Sequence, residues 1–209
     1  MQRSNGAKLF PMFITLVVIV LVIVAVVSIG RAIFGQNSET DVEQETDIGR
    51  DALLNTGSGH AVRMRVRGPI VAQEEFKSYE IQVSQSKRVM KVYSGYLDRV
   101  QKRKNLGNTR AAYEQFVYAL DKANLMKGEV PTDDAKNDLR GICASGYVYE
   151  YAVIESGDEL KRLWTSTCKG SPGSLEASTE QLNDLFFDQV PDSRELVPFN
   201  RNGFNRLRF

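Results

Sequence analysis

Residues 61–67 read Ala-Val-Arg-Met-Arg-Val-Arg. The apolar residues of this stretch alternate with Arg63, Arg65 and Arg67. This period of two is typical of a strand that buries one face and leaves the other in water. The sequence therefore predicts a strand with one apolar face and one basic face.

A hairpin is predicted after this strand, in residues 76–94. The polar turn 84–87 separates two alternating runs, and pairing across it sets Ile81 opposite Met90. Five side chains then share one apolar face: Tyr79, Ile81, Val83, Met90 and Val92. We expect this face to be buried.

A helix is predicted next, with Asn108 as its N-cap and its end before Gly128. Residues at the spacing i, i+3, i+4 and i+7 form a stripe. We expect the stripe to pack on the sheet, because a single layer cannot bury itself. Its members are Tyr113, Phe116, Val117, Leu120 and Asn124.

The second half of the chain repeats this plan. Residues 147–168 predict a hairpin with its turn at 155–158. A helix follows, in which Ser178 and Gln181 fit a capping box and Pro191 marks the end. Its apolar side consists of Leu182, Leu185, Phe186 and Val190.

Two hairpin-helix units predict an α+β domain in which one antiparallel sheet carries two packed helices on one face. Both hairpins begin with the same dipeptide, at Tyr79-Glu80 and at Tyr149-Glu150. This match indicates either an internal duplication or only a shared architecture.

Cys143 and Cys168 are the only cysteines, and they flank the second hairpin. On ideal strands they are diagonal neighbours, so a register slip or a bulge is needed to bring their Cβ atoms within roughly 3.5–4.5 Å. We expect a structural disulfide, because we expect a non-reducing compartment. Two buried thiols or a reactive nucleophile are the alternatives, and a nucleophile would need a histidine other than His60, which lies in the predicted tether.

The segment 9–30 has no charged residue and is rich in Val, Ile and Leu. A helix of this length spans roughly 33 Å, enough to cross a hydrocarbon core of about 30 Å. We expect an uncleaved transmembrane helix, with a cleaved signal peptide as the alternative. Arg3 and Lys8 precede the segment and only Arg31 follows it closely, which predicts a cytoplasmic N-terminus and an extracytoplasmic remainder.

Five regions are thus predicted along the chain. Residues 1–8 form a cytoplasmic tail, 9–30 the transmembrane helix and 31–60 a flexible acidic linker. The last two regions are the extracytoplasmic α+β domain, 61–191, and an aromatic and basic tail, 192–209.

Two groups of residues are candidates for binding. The row Arg63, Arg65 and Arg67 could meet an anionic polymer or a lipid headgroup, or it could pair with acids on neighbouring strands such as Glu80. The tail could lie on a membrane, dock a partner, pack back on the domain or fray. Its candidate residues are Arg201, Phe204, Arg206 and Arg208.

Motifs for catalysis, metals and cofactors are missing from the sequence. The single histidine and the two cysteines form no cluster with the spacing of metal ligands, and no glycine-rich phosphate loop is present. We expect no enzyme activity, no metal and no cofactor. The formal net charge of +1 gives no reason to expect nucleic acid as a partner.

Four stretches of the chain carry a family resemblance: Tyr93–Leu97, Ala112–Leu120, Arg140–Cys143 and Leu163–Cys168. Through them the sequence resembles uncharacterised, single-pass, membrane-anchored surface proteins of candidate-phylum bacteria of the Saccharibacteria type. The resemblance covers roughly residues 62–191, and the cysteine spacing is its most specific part. It implies a surface-exposed domain in a host-dependent bacterium, and it assigns no activity to any residue.

These observations favour a binding module for a protein or a cell-envelope component, held at the cell membrane by lipid contacts through residues 9–30. An accessory subunit of a membrane complex is the second hypothesis, although the apolar segment lacks a Gly-x-x-x-Gly pattern. An enzyme with a dispersed carboxylate site is the third. A pocket-lining acid with a raised pKa would support it.

Overall fold

The computed structural model describes residues 48–133 and 137–199. The predicted cytoplasmic tail, the transmembrane segment 9–30, residues 31–47 of the predicted linker and residues 200–209 of the tail lie outside this range. Across the described residues, no helix is both long enough and apolar enough to cross a membrane. The anchor and its orientation stay predictions.

In the described part of the chain, six strands form one antiparallel sheet. They are β1 (His60–Arg67), β2 (Lys77–Ser84), β3 (Lys87–Ser94), β4 (Arg99–Gly107), β5 (Val148–Glu155) and β6 (Asp158–Ser166). The order across the sheet is β4-β3-β2-β1-β5-β6, so β1 separates the two hairpins. The predicted α+β class with an antiparallel sheet is confirmed.

The register of the first hairpin is the predicted one. Ile81 lies opposite Met90 and Tyr79 lies opposite Val92. Val62, Met64 and Val66 of β1 share the face of these residues, and all of them are buried. The alternation in β1 is thereby confirmed, with the arginines on the other face.

Helices pack on the apolar face of the sheet. They are α1 (Ile48–Leu54), α2 (Arg110–Lys122), α3 (Thr179–Phe187) and α4 (Ser193–Leu196). Phe116 of α2 and Phe186 of α3 meet edge to face, with ring centroids 5.2 Å apart. Both helices belong to the same hydrophobic core as β1, β2 and β5.

The boundaries of α2 differ from the prediction at both ends. The N-cap is Thr109, whose hydroxyl accepts a hydrogen bond from the Ala112 amide. Asn108 instead donates its side-chain amide to the Ser84 carbonyl, at 2.7 Å. Asn124 lies beyond the end of the helix, where it is exposed and has a φ of 60°. It therefore does not belong to the apolar stripe.

The predicted start of α3 is confirmed, since the Ser178 hydroxyl accepts a hydrogen bond from the Gln181 amide. The helix ends at Phe187, earlier than Pro191 alone would require. Val190 is buried all the same, in the turn that follows the helix.

The domain extends beyond the predicted boundaries of 61 and 191. Helix α1 lies inside the segment assigned to the linker, and its Leu53 is buried. His60, expected in the tether, begins β1 and is buried, with Nε2 3.1 Å from a Glu155 carboxylate oxygen. At the other end, Phe199 packs against Tyr147, with ring centroids 4.9 Å apart.

Cys143 and Cys168 form the predicted disulfide, with Cα atoms 5.3 Å apart. The pairing of β5 with β6 contains a register shift at Val153 and Ile154, but this shift does not bring the cysteines together, because Cys143 precedes β5 and Cys168 follows β6. Cys143 lies in a turn before β5, with a φ of 54°. The bond therefore fastens that turn, and not a paired strand, to the end of the sheet.

Candidate functional site

The face of the sheet opposite helices α1 to α4 carries the predicted basic row, together with acids from neighbouring strands. Arg65 lies at the centre, opposite Glu80 on β2 and opposite Glu150 on β5. Arg63 and Arg67 lie two residues away on the same face of β1. We call this set of five residues the polar face.

The two Tyr-Glu dipeptides found in the sequence lie at the same level on either side of β1. Val66 is opposite both Tyr79 and Tyr149, so the tyrosines point into the core while the glutamates point to the polar face. A duplication would produce this arrangement. The duplication itself stays a prediction.

Each arginine of the row forms an ion pair. Arg63 binds Glu159 of β6, and Arg65 binds Asp98 in the turn before β4. The Nε atom of Arg67 lies 2.9 Å from Glu150 Oε1, a charge contact without the angle of a good hydrogen bond.

The two central acids have cations of their own. Glu150 is also approached by Arg162, at 3.4 Å, and Glu80 accepts a hydrogen bond from Lys91 at 3.3 Å. Both carboxylates are buried although none of helices α1 to α4 covers them, because the long side chains around them lie across the sheet.

Arg65, at the centre of the row, is largely enclosed, with its side chain 23% exposed. Burial disfavours the charged guanidinium and by itself lowers its pKa. The hydrogen bond and negative charge of Asp98, together with the charges of Glu150 and Glu80, outweigh this effect, so the pKa of Arg65 is raised. The group also lies 5.5 Å from the centre of the Tyr93 ring. Burial and the nearby Glu80 raise the pKa of that phenol.

The polar face is consequently a mutually neutralised network. An external anion would have to displace Asp98, Glu150 or Glu159 from an arginine that is already paired. Buried pairs of this kind hold side chains in place more effectively than they attract new ligands.

Unpaired cations lie instead on β4, one of the two edge strands. In the described residues no acid pairs with Arg99, Lys102 or Arg103, and all three are exposed. Arg103 donates to the Asn105 side chain of its own strand, at 2.9 Å. We call these three residues the basic edge.

The distribution of charge along the chain points to the same strand. Residues 60–107, which form β1 to β4, contain eleven basic and four acidic residues. Residues 108–199 contain nine basic and sixteen acidic residues. Although the net charge of the chain is near zero, residues 60–107 are therefore a basic segment and residues 108–199 an acidic segment.

Sequence reasoning missed β4 because the strand has almost no apolar alternation. Only Val100 and Leu106 interrupt a polar run from Arg99 to Gly107. The available signal was the cluster of cations between two predicted elements. Charged side chains of this kind protect many edge strands from pairing with other chains.

The carboxyl groups with shifted pKa values do not resemble a catalytic acid. Hydrogen bonds from the Arg140 side chain and backbone lower the pKa of Asp138 to about 2. A hydrogen bond from Arg110 likewise lowers the pKa of Glu114. A general acid at neutral pH requires the opposite change.

The other predicted features divide between the described residues and the rest of the chain. In residues 48–133 and 137–199, no group of His, Cys, Asp and Glu side chains could hold a metal ion. Arg201, Phe204, Arg206 and Arg208 of the tail lie outside the described residues.

Comparisons with known proteins assign no family, since neither a protein-family model nor a curated protein matches the chain.

Proposed function

We propose that this protein is a membrane-anchored, extracytoplasmic binding module without catalytic activity, and that it binds an anionic polymer of the cell envelope. The observation that carries the proposal is the basic edge, where Arg99, Lys102 and Arg103 have no acidic partner among the described residues. Exposed cations without a counter-charge attract anions and accelerate their encounter with the protein.

The geometry of β4 suits a linear ligand. From Arg99 to Arg103 the strand extends about 13 Å, at about 3.3 Å per residue. Lys102 and Arg103 project to opposite sides of the edge, because successive residues alternate. A chain with repeated negative charges can follow such an edge, whereas a single small anion would meet only one cation at a time.

Protection of the sheet edge is the competing explanation for these cations. It predicts that charge reversal on β4 causes no specific loss of binding, because a negatively charged edge also resists pairing with another strand. Binding measurements with matched variants can therefore separate the two explanations.

The binding test uses the full chain in detergent micelles, with isolated envelope fractions and with polyphosphate as a defined probe. We expect the double variant Lys102→Glu/Arg103→Glu to lose at least tenfold in affinity and to show a weaker salt dependence. The matched control, Lys127→Glu/Lys169→Glu, makes the same change of charge elsewhere and should stay within twofold. Equal losses in both variants, or no binding by the unmodified chain, would contradict the proposal.

The membrane topology needs a separate test, because the anchor rests on the sequence of residues 9–30. Val130 is exposed, so a Val130→Cys variant offers an accessible thiol while the disulfide stays intact. We expect a membrane-impermeant thiol reagent to label it on intact cells. Labelling that requires lysis would place the domain in the cytoplasm.

A further inference from the structure

A polar cavity of about 370 Å³ lies where β2 and β4 begin and β3 ends. Arg99 of the basic edge lines this cavity, so the two form one continuous surface. The other lining side chains are Gln73, Glu74, Lys77, Ser94, Leu97 and Gln101. We call this cavity the strand-end pocket. We propose that it binds one sugar unit of the anionic polymer, a proposal that rests on the proposed function and makes the ligand an acidic polysaccharide.

Three strands bring polar side chains of the pocket into one row. Lys77 of β2 lies opposite Ser94 of β3, and Ser94 lies opposite Arg99 of β4. Opposite residues of an antiparallel pair point to the same face. Lys77 Nζ donates to Ser94 Oγ at 2.6 Å and to the Glu74 carbonyl at 3.1 Å, which uses two of its three hydrogens. The pocket therefore keeps hydrogen-bond donors for a ligand.

Two neutral amides add to the polar lining. Gln101 is skipped in the pairing of β4 with β3, at the register shift between Val92 and Tyr93. A bulge of this kind changes the direction of a side chain. Gln73 is held in place because its Oε1 atom accepts a hydrogen bond from the Tyr96 amide, at 3.1 Å. Each side-chain amide offers both a donor group and an acceptor.

The pocket also contains an anionic acceptor, and this acceptor distinguishes between ligands. Glu74 is exposed, and no basic side chain of the described residues pairs with its carboxylate. A carboxylate accepts hydrogen bonds and repels a ligand that offers only acceptors, such as polyphosphate. Sugar hydroxyls donate as well as accept, so they can bond to Glu74 and to the amides. A carboxylate on the same sugar can pair with Arg99 through two hydrogen bonds.

Leu97 supplies the apolar part of the pocket. It lies in the turn before β4 and is 89% exposed. A leucine beside polar groups can cover the C–H face of a sugar ring, and removing this apolar area from water is favourable. Sites for small ligands begin at roughly 300 Å³. The pocket therefore suits one unit of a polymer whose next units follow the basic edge.

Polygalacturonate, a polymer of sugar carboxylates, tests the proposal on the full chain in detergent micelles, with polyphosphate measured in parallel. We expect Glu74→Ala to weaken polygalacturonate binding at least about fivefold, because the acceptor of the sugar hydroxyls is lost. The same variant should bind polyphosphate more tightly than the unmodified chain, because a negative charge beside Arg99 is gone.

Glu75→Ala is the matched control for this variant. Glu75 is exposed and does not line the strand-end pocket. Both variants remove one negative charge from neighbouring positions, so a difference between them reports on the acceptor and not on the net charge. Polygalacturonate should bind the control at least as tightly as it binds the unmodified chain.

A second pair of variants changes no charge. Gln101→Ala should weaken polygalacturonate binding at least about threefold, because an amide that bonds to the sugar is removed. Gln181→Ala makes the same change at an exposed position on α3, outside the pocket, and should stay within twofold. Equal effects of the two substitutions would overturn the proposal.

The two polymers separate this proposal from the proposed function. Equal polygalacturonate affinities of Glu74→Ala and Glu75→Ala would overturn the assignment of the pocket. Binding of polyphosphate without binding of polygalacturonate would also overturn it, while anion binding by the basic edge would stand. Failure of the unmodified chain to bind either polymer would contradict both proposals.

Discussion

Glu150 is a buried acid on the polar face, and its contacts indicate a structural role. It lies opposite Arg65 in the sheet, and it neutralises Arg67 and Arg162. Without the carboxylate, these guanidinium groups would repel one another with little water around them. The row that the sequence singled out as a possible binding site therefore maintains the sheet.

Replacing Glu150 with Gln should lower the free energy of unfolding by about 2 kcal/mol, because the amide keeps the shape but removes the buried negative charge that faces Arg67 and Arg162. Urea unfolding of the variant measures the change. Glu129→Gln serves as the control, since Glu129 is exposed and has no basic partner among the described residues, and it should cause almost no change. A variant at Glu150 that is as stable as this control would show that the network is dispensable.

Asp138 makes the stability depend on pH in the acid range. Hydrogen bonds from Arg140 lower its pKa in the folded state to about 2. A lowered pKa stabilises the fold above the ordinary value near 4, and this contribution disappears as the pH falls toward 2. The Asp138 side chain is partly exposed, at 38%, so salt should weaken the effect.

An NMR titration of the Asp138 carboxyl carbon should show a midpoint near pH 2. In an Arg140→Gln variant we expect the midpoint to return toward the ordinary value, because the donating guanidinium is gone. An unchanged midpoint in that variant would mean that Arg140 does not cause the shift. The unfolding free energy of Asp138→Asn should also fall less steeply than that of the unmodified chain as the pH is lowered.

At the scale of single elements, α2 shows how a helix boundary depends on competition between neighbouring polar residues. Both Asn108 and Thr109 are suitable N-caps by composition. The end of β2 uses the Asn108 side chain as a donor to the Ser84 carbonyl, and Thr109 is left to accept from the Ala112 amide.

Thr109→Ala should therefore cost about 1 kcal/mol of unfolding free energy, because the Ala112 amide loses its acceptor. Chemical denaturation followed by circular dichroism is the measurement. Thr132→Ala makes the same change at an exposed loop position and should be close to neutral. A loss in both variants of equal size would point to a general effect of removing threonine and not to the cap.

The strand β4 is held mainly by its neighbour. Its residues are almost all exposed, and it pairs through its backbone with β3, with a register shift at Val92 and Tyr93. A strand with so few buried residues leaves no periodic apolar signal. Arg99, Lys102 and Arg103 are nonetheless the basis of the proposed function, because no acid among the described residues pairs with them.

For the whole molecule, the disulfide joins the turn before β5 to the end of β6. It closes a loop with a sequence separation of 25 residues. Cys143 also packs with Leu139, Val148 and Trp164 in a small hydrophobic cluster. Loss of the bond should therefore affect both global stability and the packing of this cluster.

The double variant Cys143→Ser/Cys168→Ser should lose about 3 to 4 kcal/mol of unfolding free energy, because the unfolded chain regains the freedom of the closed loop. Urea unfolding with and without a reducing agent checks this value. Reduction should bring the unmodified chain to the level of the variant and leave the variant unchanged. Equal stability of the two proteins under oxidising conditions would contradict the prediction.

The sequence by itself determined the antiparallel core, the register of the first hairpin and the cysteine pair. These features depend on local periodicity, on turns and on the number of cysteines. Alternation in β1 selects the face that is buried. The polar turn after Val83 allows one register of β2 with β3 that keeps the apolar residues on the same face. The start of α3 at Ser178 is similarly local.

Only the tertiary structure decided which charges are neutralised and which are available. The partners of Arg63 and Arg65, Glu159 and Asp98, are distant in sequence, and no local pattern reveals that the sheet brings them together. The same applies to the cluster beside the disulfide, in which Leu139, Val148 and Trp164 come from different segments of the chain. Periodicity is a property of neighbouring residues, whereas the availability of a charge depends on which segments fold against one another.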